Sequence, residues 1–340
     1  MVNPKVAILV AAYNAQQTLD KCMHSLTTQT LGDIEIICID DCSTDATPQL
    51  LSQWADGDPR IHVLHTPHNS GQAVARNLGL QHASAPYICM VDADDWLSTD
   101  CLQSAYDIFT HHPQTDCVAF RLILHYDQDS REEDYGMPAE LEKDGVTGLR
   151  AFELCADKWT LHGCYLTRTE LHRRFPYDTT GLLYSDDNTS RLHYLYSREV
   201  RSCNGCYFWR QHTVSMTHSF TLRRFDFMEA NLALRTSLKD YEHDHGPLPA
   251  TTLAILERDR WYNFLACCRM YYNHINEIPH TARQSLLHRF ATTLATFSSR
   301  TLPSDCRHRP GYYLISSPTL FLLQQRLFVS ARRMLRMPLP

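Results

Sequence analysis

The chain has 340 residues, of which 44% are hydrophobic and 21% charged, an ordinary balance for a globular protein of one large domain or two. Its net charge of −6 at pH 7 argues against nucleic-acid binding by the surface as a whole. The 13 cysteines are scattered and odd in number, which favours reduced thiols in a cytoplasmic protein over a disulfide framework. We expect no signal peptide, because the N-terminus shows no charged region followed by a long apolar core and a cleavage site. We expect no transmembrane helix, because no apolar run reaches roughly 18 residues.

The first hundred residues predict strands that alternate with helices. Apolar runs of strand length occupy Lys5 to Ala12, Ile34 to Ile39 and Ile61 to Leu64, and a fourth run begins at Tyr87. Between these runs, apolar residues recur every three or four positions, as they do on one face of a helix. Alternating strands and helices are joined by crossover connections. We therefore expect an α/β fold with a mostly parallel mixed sheet between helices.

Two of these strands end in clustered aspartates. Asp40 and Asp41 follow the second strand, and Asp92, Asp94 and Asp95 follow the fourth. Unpaired carboxylates are costly to bury, so these acids should project from the carboxyl ends of the strands, where open α/β sheets bind ligands. Oxygen ligands suit Mg²⁺ or Mn²⁺, and such an ion commonly accompanies a diphosphate. The alternative interpretation is that the aspartates cap the helices that follow.

Five short motifs occur in order over about residues 5 to 100. They are Val10-Ala11-Ala12-Tyr13-Asn14, Ile39-Asp40-Asp41-Cys42-Ser43, Asn69-Ser70-Gly71, Ala75-Arg76-Asn77-Leu78-Gly79 and Val91-Asp92-Ala93-Asp94-Asp95. Together they resemble glycosyltransferase family 2, of the type that assembles bacterial surface polysaccharides. The resemblance implies a GT-A (nucleotide-diphospho-sugar transferase) fold, a nucleotide-sugar donor such as a UDP-sugar, and Mn²⁺ or Mg²⁺.

The resemblance also implies roles for individual residues in binding the donor. Asp41 resembles the carboxylate that accepts the N3–H of uracil, and Ala12 and Tyr13 would line the base pocket. Asp92 resembles the residue near the ribose, and Asp94 resembles the direct metal ligand. Arg76 would reach the nucleotide or its phosphates. The alternative for Arg76 is a solvent-exposed arginine on a helix.

A second acidic pair, Asp186-Asp187, follows an aromatic residue at Tyr184. It resembles the acidic pair that carries the family's general base, although the family more often has glutamate at the first of the two positions. We therefore predict that Asp187 deprotonates the acceptor hydroxyl as it attacks the sugar. The alternative is that the pair caps the helix that continues through Leu192 and Leu195.

A further segment, Tyr207 to His212, resembles one that closes many bacterial members of the family. There Arg210 is a candidate contact for phosphate oxygens. His212 is a candidate metal ligand or diphosphate contact.

We expect two domains. Residues 1–222 would form the transferase domain, with a nucleotide-binding half at 1–100 and an acceptor half at 101–222. Residues 223–340 have a helical period throughout and would form an α-helical C-terminal extension.

The last part of the chain, residues 318–340, combines leucines and phenylalanines with arginines, as in helices that lie on anionic membrane surfaces. This pattern predicts a peripheral contact with the inner face of the membrane. The alternative is a helix docked on the protein's own acidic body.

The sequence thus predicts a metal-dependent, inverting glycosyltransferase that moves a sugar from a nucleotide-sugar donor to a saccharide or lipid-linked acceptor. No nucleic-acid partner is expected. Processive synthesis is not expected, because no Gln-x-x-Arg-Trp string occurs. A nucleotidyltransferase and a non-catalytic saccharide- or nucleotide-binding protein on the same fold are the rival interpretations.

Overall fold

The structure is a computed structural model that describes residues 3–180, 183–211, 220–335 and 337. The chain divides into two compact units. The first consists of Met1–Gly181 with Ser185–His218, and the second of Leu182–Tyr184 with Ser219–Pro340. The first unit is α/β and the second is helical.

The described strands of the first unit form one sheet. They are β1 (Val6–Ala12), β2 (Ile34–Asp40), β3 (Ile61–His65), β4 (Tyr87–Met90), β5 (Trp96–Leu97), β6 (Thr115–Tyr126), β7 (Arg131–Asp134), β8 (Val146–Thr147), β9 (Tyr165–Arg168) and β10 (Glu199–Gln211). Their order across the sheet is β3–β2–β1–β4–β9–β6–β10–β5, with β7 paired to β6 and β8 to β10.

The strand directions position the functional edge. Strand β1 is parallel to β2 and β4 on either side, and β3 is parallel to β2. Strand β9 is antiparallel to both β4 and β6, whereas β10 is parallel to β6. The carboxyl ends of β1, β2 and β4 therefore lie together at one edge. The predicted α/β fold with a mixed sheet is confirmed.

Helices cover the sheet on both faces. In the first unit they are α1 (Leu19–Thr27), α2 (Thr47–Gly57), α3 (Gln72–His82), α4 (Cys101–His111), α5 (Ala139–Lys143), α6 (Gly148–Ala156), α7 (Thr169–Arg174) and α8 (Ser185–Leu195). Alternate side chains of β1 belong to different cores: Val6, Ile8 and Val10 pack in one cluster, Ala7 and Leu9 in another. A strand buried on both faces explains why residues 5–12 form a continuous apolar run.

The second unit is built from α9 (Phe227–His245), α10 (Ala250–Asn273), α11 (His280–Leu294) and α12 (Pro318–Met334). Its core is rich in aromatic rings, including Trp261, Phe264, Phe290 and Phe321, all nearly inaccessible to solvent. The helical C-terminal region that the sequence predicts is confirmed. Among the described residues, no helix is both long and apolar enough to cross a membrane.

Candidate functional site

Three carboxylates meet in a turn just after β4. The turn closes with a hydrogen bond from the Asp95 amide to the Asp92 carbonyl oxygen, at 2.9 Å. One carboxylate oxygen each of Asp92, Asp94 and Asp95 lies within 4.8 Å of the others. Burial, and then the charges of Asp92 and Asp94, raise the pKa of Asp95 well above its usual range. We call residues 92–95 the acid turn. Its closely spaced carboxylate oxygens and its negative charge are suited to bind a hard divalent cation.

Arg76 on α3 joins the acid turn to a distant part of the chain. One guanidinium nitrogen donates to Asp92 Oδ1 at 2.5 Å, and the other lies 3.8 Å from Asp186 Oδ2. Burial lowers the pKa of Arg76, but the charges of Asp92, Tyr177 and Asp186 raise it more, so the net shift is upward. Arg76 is 7% exposed, so the alternative of a solvent-exposed helix arginine is wrong.

The predicted general base lies at the start of α8. Asp186 and Asp187 occupy its first turn, where the Asp187 amide donates to Asp186 Oδ1 at 3.1 Å. The segment before α8 is also tied to α3, because the Asn77 side chain exchanges two hydrogen bonds with the backbone of Tyr177, at 2.8 and 3.0 Å. The acidic pair is thus linked through Arg76 to the acid turn. The role of Asp187 as base stays a prediction.

Asp41, at the end of β2, organises the loop that leads into α3. Its Oδ1 accepts hydrogen bonds from the Thr66 hydroxyl at 2.6 Å and the Ser70 amide at 2.9 Å, and its Oδ2 accepts one from the Gly71 amide at 2.7 Å. Gly71 has a φ of 87°, a conformation that glycine adopts without strain. Since α3 begins at Gln72, Asp41 helps to place the helix that carries Arg76. Its contact with uracil stays a prediction.

An exposed aromatic ring lies at the end of β1. The Asp41 amide donates to the Ala12 carbonyl at 2.8 Å, and Tyr13 is 49% exposed. The next residue, Asn14, exchanges hydrogen bonds with the loop after β2: its amide donates to Ser43 Oγ at 2.9 Å, and its side-chain oxygen accepts from the Thr44 amide at 2.8 Å. These contacts hold the Tyr13 backbone beside Asp41, as a base pocket built from the two would require.

Two site residues, Asp95 and Tyr207, received no individual role from the sequence. Asp95 follows the predicted metal ligand Asp94 directly, so its position was a usable signal. Tyr207 lies on β10, and its hydroxyl donates to Asp95 Oδ2 at 2.7 Å. No local pattern identifies Tyr207, because it is 112 residues from its partner. The Arg210 guanidinium donates to the Asp94 carbonyl at 2.8 Å and to Asp127 at 3.3 Å, and His212 lies outside the described residues.

The parallel strands β1, β2 and β4 gather carboxylates and an arginine at their carboxyl ends, the edge at which open α/β sheets bind ligands. The family model "Glycosyl transferase family 2" matches residues 7–168. These residues include Asp41, Arg76 and the acid turn. Residues 7–168 therefore match the family that the sequence motifs resemble.

Individual relatives agree with this assignment. The putative teichuronic acid biosynthesis glycosyltransferase TuaG of Bacillus subtilis is 40% identical over 100 residues, which are 29% of this chain. The matched segment spans 40% of TuaG, less than half of that relative's own length.

Solved structures share the fold over almost the whole chain. Residues 1–349 of Staphylococcus aureus TarS, in complex with UDP-GlcNAc, superpose with a TM-score of 0.72 at 18% identity, covering 99% of this chain and 93% of that one. The mannosyltransferase PcManGT of Pyrobaculum calidifontis, in complex with GDP-Man and Mn²⁺, gives a TM-score of 0.52 at 15% identity, with coverage of 96% and 87%.

Proposed function

We propose that the chain is a metal-dependent, inverting glycosyltransferase that transfers a sugar from a UDP-sugar to a saccharide or lipid-linked acceptor in surface polysaccharide assembly. One observation carries the proposal. A cluster of three carboxylates within 4.8 Å is connected, through the buried Arg76, to the helix turn that holds a fourth and a fifth. That arrangement would supply both a cation site and a nearby general base. The glycosyltransferase names of relatives and the sugar-nucleotide complexes of TarS and PcManGT support the substrate class.

The acid turn would hold the cation. Asp94 is the proposed direct ligand, with Asp92 beside it. When bound, Mn²⁺ or Mg²⁺ would neutralise the charge that develops on the departing diphosphate. Arg76 pairs with Asp92 and so keeps that carboxylate oriented, and it adds positive charge on the same side. Asp41, Ala12 and Tyr13 would bind the uracil base of the donor, and the Tyr13 ring would stack on it.

Asp187 would act as general base. It would take the proton from the acceptor hydroxyl while that oxygen forms a bond to the anomeric carbon. The bond from this carbon to the diphosphate oxygen breaks in the same step, and its electron pair leaves with the diphosphate. Attack from the opposite face inverts the anomeric centre. No covalent enzyme intermediate is required.

The test is hydrolysis and transfer with a panel of UDP-sugars, in the presence and absence of Mn²⁺. We expect Mn²⁺-dependent release of UDP by the wild type and a loss of at least about 100-fold in Asp94→Ala, since the substitution removes the proposed ligand. Asp107→Ala is the matched control, because Asp107 is an exposed aspartate on α4 and should leave the rate unchanged.

The outcomes separate the rival functions. If the wild type and Asp94→Ala are equally silent with every donor yet bind UDP, the chain is a non-catalytic nucleotide-binding protein. If the wild type instead makes a sugar nucleotide from a sugar phosphate and UTP, it is a nucleotidyltransferase.

We also propose that residues 318–340 contact an anionic membrane surface, which would place a cytoplasmic enzyme on the inner face of the membrane. Helix α12 presents two different faces. Phe321, Gln325 and Val329 are buried, whereas Leu320, Leu323 and Leu327 are 56%, 48% and 61% exposed. The helix therefore docks through one face and leaves an apolar stripe on the other.

The charge around this stripe favours anionic lipid as its partner. Residues 306–340 contain six arginines and no acidic residue or lysine. Arginine next to exposed leucine suits the boundary between anionic headgroups and acyl chains. A second protein copy would cover the leucines but would have to match the arginines with acids.

Flotation with vesicles tests the membrane contact. We expect the full chain to float with vesicles of phosphatidylglycerol and phosphatidylcholine but not with phosphatidylcholine alone. The triple variant Leu320→Ser, Leu323→Ser, Leu327→Ser should stay at the bottom of the gradient. A matched triple variant at exposed residues of α9, Leu232→Ser, Thr236→Ser and Lys239→Ser, should float like the wild type. Equal flotation of the α12 variant, or dimerisation of the wild type that this variant abolishes, would overturn the proposal.

A further inference from the structure

The acid turn is held in place by one tyrosine of a distant strand. Tyr207 lies on β10 and is 4% exposed. Its hydroxyl donates to Asp95 Oδ2 at 2.7 Å and accepts a hydrogen bond from the Asp92 amide at 3.2 Å. A single hydroxyl is therefore hydrogen-bonded to both the first and the last residue of the turn. Since Tyr207 pairs with Leu97 of β5, the strand register fixes where that hydroxyl lies.

Arg210 adds two contacts from the same strand. Its amide donates to Asp95 Oδ1 at 2.8 Å, and its Nε donates to the Asp94 carbonyl at 2.8 Å. Each carboxylate oxygen of Asp95 thus accepts a hydrogen bond from β10. Asp95 is 2% exposed, while Asp92 and Asp94 are both partly exposed. The three carboxylates are therefore not equivalent: one is directed into the protein and two are accessible.

We infer that Tyr207 and Asp95 are positioning residues for the cation site, and that Asp95 anchors the turn while Asp94 and Asp92 face the ion. This inference rests on the proposed function. Two accessible carboxylates so close together repel each other when no cation is bound, and an unanchored turn would let them separate. The contacts from β10 oppose that movement. Groups that orient metal ligands typically change metal affinity about 10- to 100-fold when they are removed.

The test is Mn²⁺ binding to the full chain, measured from the electron paramagnetic resonance signal of free Mn²⁺ with UDP present at a fixed concentration. Tyr207→Phe removes one oxygen and keeps the ring. We expect its dissociation constant for Mn²⁺ to rise at least about tenfold.

Tyr194→Phe is the matched control for this measurement. Tyr194 is also a buried tyrosine of the first unit, and its hydroxyl donates to the His162 carbonyl at 2.6 Å. Tyr207→Phe loses two buried hydrogen bonds and Tyr194→Phe loses one, so the melting temperatures of both metal-free proteins should fall, that of Tyr207→Phe at least as far. Only the affinity of Tyr207→Phe for Mn²⁺ should change.

Asp95→Asn gives a second, independent measurement. We expect it to weaken Mn²⁺ binding about as much as Tyr207→Phe does, and far less than Asp94→Asn. Loss of binding equal to that of Asp94→Asn would make Asp95 a ligand and overturn the inference. Unchanged Mn²⁺ affinity in both Tyr207→Phe and Asp95→Asn would also overturn it and leave the proposed function standing. If the wild type takes up no Mn²⁺, both the inference and the metal dependence of the proposed function fall.

Discussion

Aspartates follow two parallel strands, β2 and β4, that flank β1, yet the surroundings of these aspartates differ. At the end of β2, Asp41 accepts three hydrogen bonds from the Thr66 hydroxyl and two backbone amides of a single loop. At the end of β4, three carboxylates crowd together, and the pKa of Asp95 is raised. The same sequence pattern therefore has two outcomes. At the end of β2, hydrogen bonds from the protein stabilise the carboxylate, and at the end of β4, the site has excess negative charge.

The number and source of the donors account for the difference. The loop after β3 turns back at Gly71 and aims its amides at a single carboxylate. The carboxylates of the acid turn receive hydrogen bonds from four separate residues. The side chains of Gln72 and Arg76 donate to Asp92, and the Tyr207 hydroxyl and the Arg210 amide donate to Asp95. Unbalanced negative charge of this kind is what a divalent cation relieves. The hydrogen bonds that each carboxylate accepts, rather than the presence of aspartates, distinguish the surroundings of Asp41 from the cation site proposed at the acid turn.

The largest expected effect concerns Asp187, which lies on α8 next to Asp186, the residue that Arg76 connects to the acid turn. Asp187→Asn removes the proposed base and keeps the shape of the side chain. We expect kcat to fall by about 10²- to 10⁴-fold, because the acceptor hydroxyl would have to attack without losing its proton to a positioned group. Affinity for UDP, measured by calorimetry, should stay within about twofold. Loss of UDP binding would mean that Asp187 belongs to the donor site.

A second prediction separates Asp41 from the acid turn through stability. Asp41→Ala leaves two amides and a hydroxyl without their acceptor, so the free energy of unfolding should fall by about 3 kcal/mol. Asp94→Ala removes like-charge repulsion and should change the free energy of unfolding of the metal-free protein by less than about 1 kcal/mol. Denaturant titration without divalent ions measures both. Equal destabilisation would show that the acid turn is as dependent on its acids for folding as the loop that Asp41 holds.

The smallest effect concerns Asp116, an acid away from the site, which pairs with Arg168 at 2.8 Å and with Arg198 at 2.7 Å. Burial raises its pKa, but the hydrogen bonds and charge of Arg198, and then the hydrogen bond of Arg168, lower it more, so the net shift is downward. An acid whose pKa is lowered on folding stabilises the protein above its unfolded pKa and loses that stabilisation as the pH falls through its folded pKa.

Asp116→Asn should therefore melt about 2–4 °C lower than the wild type at pH 7, for a loss of about 1 kcal/mol. The gap should begin to narrow as the pH falls below about 4, the pKa of an aspartate in the unfolded chain, and should close only below the lower pKa of Asp116 in the folded protein. Melting curves between pH 3 and pH 7 measure it. A gap that stays constant with pH would mean that packing, and not the two arginines, accounts for the loss.

Much of the fold could be predicted because its signals are local. Apolar runs bounded by polar residues predicted the first four strands, and changes of period predicted the helical region. The aspartates at the ends of β2 and β4 could be located on the same grounds, since strand order places their carboxyl ends together. The predicted domain boundary at residue 222 stays a prediction beside the observed division at residue 218.

The sequence by itself determined which strands form, where they end, and that acids accumulate at those ends, because these properties depend on neighbouring residues. Only the tertiary structure decided which hydrogen bonds and ion pairs stabilise each acid. The contacts from Asp92 to Arg76, from Arg76 to Asp186 and from Asp95 to Tyr207 join residues far apart in the chain. They depend on the register of β10 and the placement of α3 and α8, and no local pattern encodes these. Burial and hydrogen bonding, which decide whether an acid anchors a turn or faces an ion, exist only once the chain has folded.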